Sequence, residues 1–176
     1  MVLAATISAT SALAAGPDPT ASKALLDGDR AALARDFDGA VARYRAVLSE
    51  DPRNALAHYR IGQAQTMKGD LTEAEQAYFA ALRFSGTNDV LRAKVLFCIA
   101  DLRERQHAFD AAVDAWTEYE KQAVKAPDAT PHVATAAERK NRIAEWKKAL
   151  AVAAEVKARV ARRIQEVEDL ARKNAK

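Results

Sequence analysis

A single cysteine, Cys98, occurs among the 176 residues. The chain can therefore form no internal disulfide and no cysteine-based zinc site. Glycine and proline are scarce, at 6 and 5, as in chains of long helices. Runs of β-branched residues are almost absent, so sheets are not expected. Catalytic signatures are missing too. His58, His107 and His132 lack metal-ligand spacing, and no H-E-x-x-H occurs. There is no phosphate-binding glycine loop and no G-x-S-x-G elbow. The sequence thus predicts no catalytic residue, no metal and no cofactor, and the protein is not expected to be an enzyme.

What is present is helix-forming. Hydrophobic residues make up 49%, and the dominant letters are Ala, Leu, Arg, Lys and Glu, the composition of long helices. A chain of this length fits one domain that buries roughly 70% of its unfolded surface. Cys98 lies in the apolar run from Val95 to Ala100 and is expected to be a small core residue. His58 is also expected at a packing position. The net charge is +3 but unevenly spread. From Glu138 to Lys176 there are twelve Lys and Arg against six Asp and Glu, so the C-terminal part is the basic part.

Residues 2–15 read VLAATISATSALAA. This is an apolar, small-residue stretch ending in the A-x-A pattern Ala12-Leu13-Ala14, and it predicts a signal peptide over 1–14. It is too short to span a bilayer, and no transmembrane segment is expected. No basic residue follows Met1, which a start further upstream would account for. Export to a bacterial periplasm or cell envelope is the expectation, with a cytoplasmic location as the alternative.

Residues 55–88 repeat residues 21–54. Gly28 matches Gly62, Asp36 matches Asp70, Ala40 matches Ala74, Tyr44 matches Tyr78, Leu48 matches Leu82 and Asn54 matches Asn88. Each unit reads as helix, tight turn, helix, with turns at Arg35-Asp36-Phe37 and Gly69-Asp70-Leu71. A third unit follows at an offset of 38, in which Phe109, Ala112 and Trp116 match Leu71, Ala74 and Tyr78. The four extra residues enter near Asp89–Lys94 and predict one more helical turn. Tyr119 replaces the small residue of Ala81 and marks a last unit, where packing changes. Asn54 and Asn88 are natural N-caps, and Asp18 precedes Pro19 as a further one. Asp70-x-x-Glu73 has capping-box spacing.

These residues resemble the tetratricopeptide repeat (TPR) family, most closely in the second unit. There, Ile61-Gly62 takes the place of the family's Leu-Gly pair. Ala74, Tyr78 and Ala81 take its Ala, aromatic and Ala places. The first unit has Asp27 where a Leu belongs. The resemblance implies an all-α, right-handed α-solenoid of about three units (21–54, 55–88 and 89–124, within a repeat region of 15–124). A linker at 125–132 and a long basic helix at 133–176 follow it. It also implies a concave groove lined by the first helix of each unit. The family's groove positions fall on Leu25 and Asp29, on Tyr59, Gln63, Thr66 and Met67, and on Phe97, Asp101 and Arg105. The Lys and Asn set with which some TPR grooves grip a peptide carboxylate is absent at these places. An apolar peptide or amphipathic helix would suit the groove, the chain's own tail included.

The expected function is therefore a non-catalytic scaffold that binds a polypeptide partner in the groove. The last helix offers alternatives. Ile143, Trp146, Leu150, Ala153, Val160, Ile164, Val167 and Ala171 follow each other in steps of three and four, interrupted by Lys157. Its first half, to Val156, is expected to cap the last repeat with Trp146 as anchor. Its second half could serve a homodimer as a coiled-coil seam, making the protein a self-assembling structural element. Alternatively, Lys157, Arg159, Arg162 and Arg163 would make it a basic adaptor at an anionic surface. No aromatic residues interleave these charges, so nucleic acid is not the expected partner.

Overall fold

The computed structural model describes residues 19–126 and 134–174. The signal-type stretch at 1–14, the cap residue Asp18 and linker residues 127–132 lie outside the described residues. Those described form seven helices and no strand. They are α1 (Pro19–Leu33), α2 (Phe37–Glu50), α3 (Ala55–Lys68), α4 (Leu71–Phe84), α5 (Asp89–Arg105), α6 (Phe109–Ala123) and α7 (Ala134–Asn174). Each helix packs on the next in sequence, and the first helices α3 and α5 also touch. The result is a stack of helical hairpins in which no unit buries its apolar face alone.

The repeat positions explain the packing. Ala40, Ala74 and Ala112 are fully buried where the two helices of each hairpin cross. One turn along the same face stand the large rings Tyr44, Tyr78 and Trp116, also buried. Gly28 and Gly62 face those rings. A Cβ on Gly62 would lie 2.5 Å from Cδ1 of Tyr78, and one on Gly28 would lie 2.8 Å from Cδ1 of Tyr44. The helix-weakening residue is thus required by the ring beside it, against a cost of about 1 kcal/mol in helix propensity.

The turn inside each hairpin needs one residue in the left-handed region. Gly69 fills it with φ 90°, and its equivalents Arg35 and His107 adopt φ 62° and 57°. Between hairpins, Asn54 and Asn88 cap α3 and α5 by accepting from the amides of Ala57 and Leu91, each at 3.0 Å. The expected capping box at Asp70 does not form. Asp70 holds the N-cap position of α4 without a side-chain cap bond, and its carboxylate lies 3.2 Å from Lys68 Nζ. Asp36, its equivalent, does cap, accepting from the Gly39 amide at 2.9 Å.

The third hairpin is the expected variant. α5 has 17 residues where α3 has 14, and it starts at the same repeat position, just after its Asn cap. Tyr119 is buried and forms an edge-to-face aromatic triad with Phe97 and Trp116, at centroid distances of 5.1 to 5.7 Å. α7 closes this end, but more briefly than the sequence suggests. Its buried residues are Ala136 and Ile143, and every side chain from Ala144 to Asn174 is exposed. Trp146 is therefore not the anchor. It lies half in solvent with its ring 5.9 Å from Phe109. The spacing of its apolar residues could not reveal where burial stops, and its 41 residues run for about 60 Å.

Candidate functional site

Two hollows open between the first helices of the hairpins, and one side chain borders both. The first is a cavity of about 600 Å³ between α1 and α3, walled by Asp29, Ala32, Leu33, Arg35, Phe37, Tyr44, Arg60, Gln63, Ala64 and Met67. The second, about 380 Å³, lies between the starts of α3 and α5 and is walled by Leu56, Tyr59, Arg60, Asn88, Val90, Leu91 and Lys94. Arg60 stands on the ridge between them.

Polar contacts hold that ridge in place. Arg60 Nε lies 3.2 Å from Asp29 Oδ1, and Arg60 Nη1 donates to Gln63 Oε1 at 3.1 Å. Gln63 Nε2 donates to the Tyr59 hydroxyl at 2.9 Å. Tyr44 donates its hydroxyl proton to Asp29 at 2.7 Å. Burial, then the Asp29 hydrogen bond, pushes the Tyr44 phenol well above its ordinary pKa, so it remains a donor at neutral pH. Tyr59 and Tyr78 are pushed up in the same way, first by burial and next by Cys98. Cys98 sits between those two hydroxyls, and burial raises its thiol pKa as well.

The two hollows differ in chemistry. The wall between α1 and α3 exposes Leu33 at 85% and Met67 at 62%, beside Ala32, Ala64 and Phe37. The hollow between α3 and α5 carries two cations, Arg60 and Lys94, and Lys94 forms no ion pair among the described residues. One end of the groove is thus apolar and the next basic.

The nine residues assigned to the groove from the sequence separate into five groups. Asp29, Gln63 and Met67 lie together on the wall of the larger cavity. Tyr59 borders the smaller one but is buried, with its ring 6.3 Å from that of Tyr78. Leu25 and Phe97 are half-buried against the hydrophobic clusters of the first and third hairpins. Thr66 turns inward, donating to the Gly62 carbonyl at 2.8 Å and lying 3.1 Å from the Tyr78 hydroxyl. Asp101 is held by Arg105 at 2.7 Å and by Arg139 of α7 at 2.9 Å. Arg139 of the tail thus reaches the acidic residues of α5, while α7 itself packs on α6.

Sequence reasoning missed Arg60, Leu33 and Arg139. Leu33 could have been found, since it stands 34 residues before Met67. Arg60 has no such counterpart, because the same position in the first unit is Leu26. His58, expected in the core, is half-buried at the start of α3. Its Nε2 lies 3.0 Å from the Pro52 carbonyl, and its ring is 5.5 Å from that of Phe84. Among the described residues, no cluster of three or more His, Cys, Asp or Glu could hold a metal, and no helix is long and apolar enough to cross a membrane.

Residues 25–89 match the tetratricopeptide repeat family model. No curated protein matches the chain. Solved structures do. The TPR2B domain of yeast Sti1 in complex with pHsp70 superposes with a TM-score of 0.64 at 12% identity, covering 72% of this chain and 98% of that one. The globular C-terminal domain of P. aeruginosa LpoP gives a TM-score of 0.56 at 24% identity, covering 58% of this chain and 97% of that one. The first TPR of Spaghetti (RPAP3), bound to the HSP90 peptide SRMEEVD, gives 0.60 at 15% identity, covering 75% and 94%. At these identities the likeness is one of fold.

Proposed function

The chain carries tetratricopeptide repeats, and from that premise we propose that it is a non-catalytic scaffold holding a polypeptide partner in the groove of α1, α3 and α5. The observation that carries this reading is the pair of unlike hollows on either side of Arg60. The larger, with Leu33 and Met67 on its rim, is sized for apolar side chains of a peptide. The smaller, with Arg60 and Lys94, suits an acidic or polar group next along it. A short segment with an apolar anchor followed by a carboxylate matches both. Similar folds that hold peptides, in the Sti1 and Spaghetti structures, support the general reading. Export to the cell envelope belongs to the same proposal and rests only on the pattern of residues 1–14.

Peptide selection on the full chain tests this, followed by affinity measurement for selected sequences. Arg60→Glu with Met67→Glu is the informative variant, because both side chains border the hollows and neither is in the core. The reading expects selected peptides that combine an apolar residue with an acidic one and lose binding in the variant. Peptides that bind wild type and variant equally would refute the groove assignment.

A further inference from the structure

From Lys148 to Asn174, α7 is exposed along its whole length and has no packing partner among the described residues, yet it is not polar all round. Leu150, Val156, Val160, Ile164, Val167 and Leu170 are all exposed large apolar residues. An isolated helix in water draws little stability from propensity alone and normally depends on burying such a face.

The face has a strict period. Steps of three and four alternate through Ile143, Trp146, Leu150, Ala153, Lys157, Val160, Ile164, Val167 and Ala171, with Lys157 the one charged residue among them. This makes Ile143, Leu150, Lys157, Ile164 and Ala171 successive a positions, with the others at d. A repeat of 3.5 residues keeps one seam facing a partner helix when two helices wind left-handedly around each other. Val156 and Leu170 fall at g and widen the seam.

Three observations specify the partner. The register runs unbroken out of the capping turns, so the seam begins at the surface of the last hairpin. Arg163 falls at g and Glu168 at the following e, the five-residue spacing at which parallel strands pair g with e′. Arg163 forms no ion pair among the described residues, and Glu168 has only an exposed contact with Arg172 at 3.5 Å. Two copies in register would join Arg163 of each to Glu168 of the other. Lys157 is the single charged a residue, a device that fixes register and strand number at some cost in stability. We propose that residues 148–174 form a parallel, in-register, two-stranded coiled coil with a second copy of this chain. The dimer presents two solenoids from one stalk.

Sedimentation equilibrium on the full chain tests the proposal across micromolar concentrations. Twice the protomer mass is expected at the upper end, dissociating on dilution. Val160→Glu with Ile164→Glu, both on the free part of the helix, should return the protomer mass while circular dichroism still reports a folded solenoid. Arg163→Glu and Glu168→Arg should each weaken dimerisation several-fold, and the two together should restore it. A protomer mass for the unaltered chain throughout would overturn the proposal. So would a dimer that the Val160 and Ile164 changes leave intact. A dimer indifferent to the charge reversals would overturn the parallel register. A monomer that co-sediments with anionic phospholipid vesicles would assign the stripe to a lipid surface instead.

Discussion

Arg139, on α7, closes on Glu104 of α5 with its Nε 2.8 Å from Oε1, over the face of the Trp116 ring at 5.5 Å. The same carboxylate oxygen accepts from Trp116 Nε1 at 2.5 Å. Glu104 is almost fully buried, and Arg139 is the cation paired with it among the described residues. The contact joins α5, α6 and α7, and it explains why the stack ends where it does. The next first-helix position is taken by the tail, which spends a cation on the third hairpin's acidic residues.

Removing that cation isolates a buried carboxylate. Arg139→Ala should destabilise the protein by about 3 kcal/mol, measured by urea unfolding. Adding Glu104→Gln should recover much of the loss, since the amide oxygen still accepts from Trp116 and carries no charge. An unchanged midpoint for Arg139→Ala would show that the contact contributes nothing.

Gly62→Ala tests the repeat alignment by the sign of its effect. In an open helix this change stabilises by about 1 kcal/mol. Here the new methyl meets the Tyr78 ring, and a loss of about 1–3 kcal/mol is expected instead. Ala74→Arg, at a fully buried crossing, should cost several kcal/mol more. Thermal melts of the two variants report both.

Arg35→Gly should act in the opposite direction. Arg35 sits at φ 62°, a left-handed conformation that costs an L-residue roughly 1–2 kcal/mol. Glycine at the equivalent position of the second hairpin, Gly69, shows what the turn favours. A gain of up to about 1 kcal/mol in chemical denaturation is expected, and a loss would mean that the Arg35 side chain contributes more than its backbone strain.

Cys98 should react slowly with thiol reagents. The thiolate is the reactive form, and burial holds the thiol pKa above its ordinary value. Raising the pH to the usual thiol range should therefore speed its modification less than that of a free thiol. Reaction at the rate of a small-molecule thiol would contradict the packing around Tyr59 and Tyr78.

The hairpins were legible in the sequence because the residues that specify them recur at fixed offsets. Gly28 and Gly62, Ala40 and Ala74, and Tyr44 and Tyr78 each declare a crossing or a ring pocket, and the four-residue shift before Phe109 declares the longer α5. The groove was only partly legible. Its positions could be counted off the repeat, but the same count cannot say which side chains turn inward. Tyr59 and Phe97 proved to be packed residues, so truncating both would remove packing between helices as well as groove lining. Arg60 and Arg139 were hidden for a different reason. Their partners Asp29 and Glu104 are 31 and 35 residues away in sequence, and no local pattern pairs them. The extent of the cap was misjudged because the heptad steps continue from Ile143 through Val167, although the last contacts of α7 with α6 among the described residues are those of Trp146 with Phe109 and Lys147 with Asp110.

The most direct test of the scaffold reading is site-specific photocrosslinking in the cells that make the protein. A photoreactive amino acid would be placed at Met67, on the groove, and in a second variant at Arg45, an exposed residue of α2. The account predicts a polypeptide adduct from position 67 that disappears when Arg60→Glu is added, and none of the same species from position 45. Equal adducts from both positions, or adducts at 67 that survive Arg60→Glu, would contradict it.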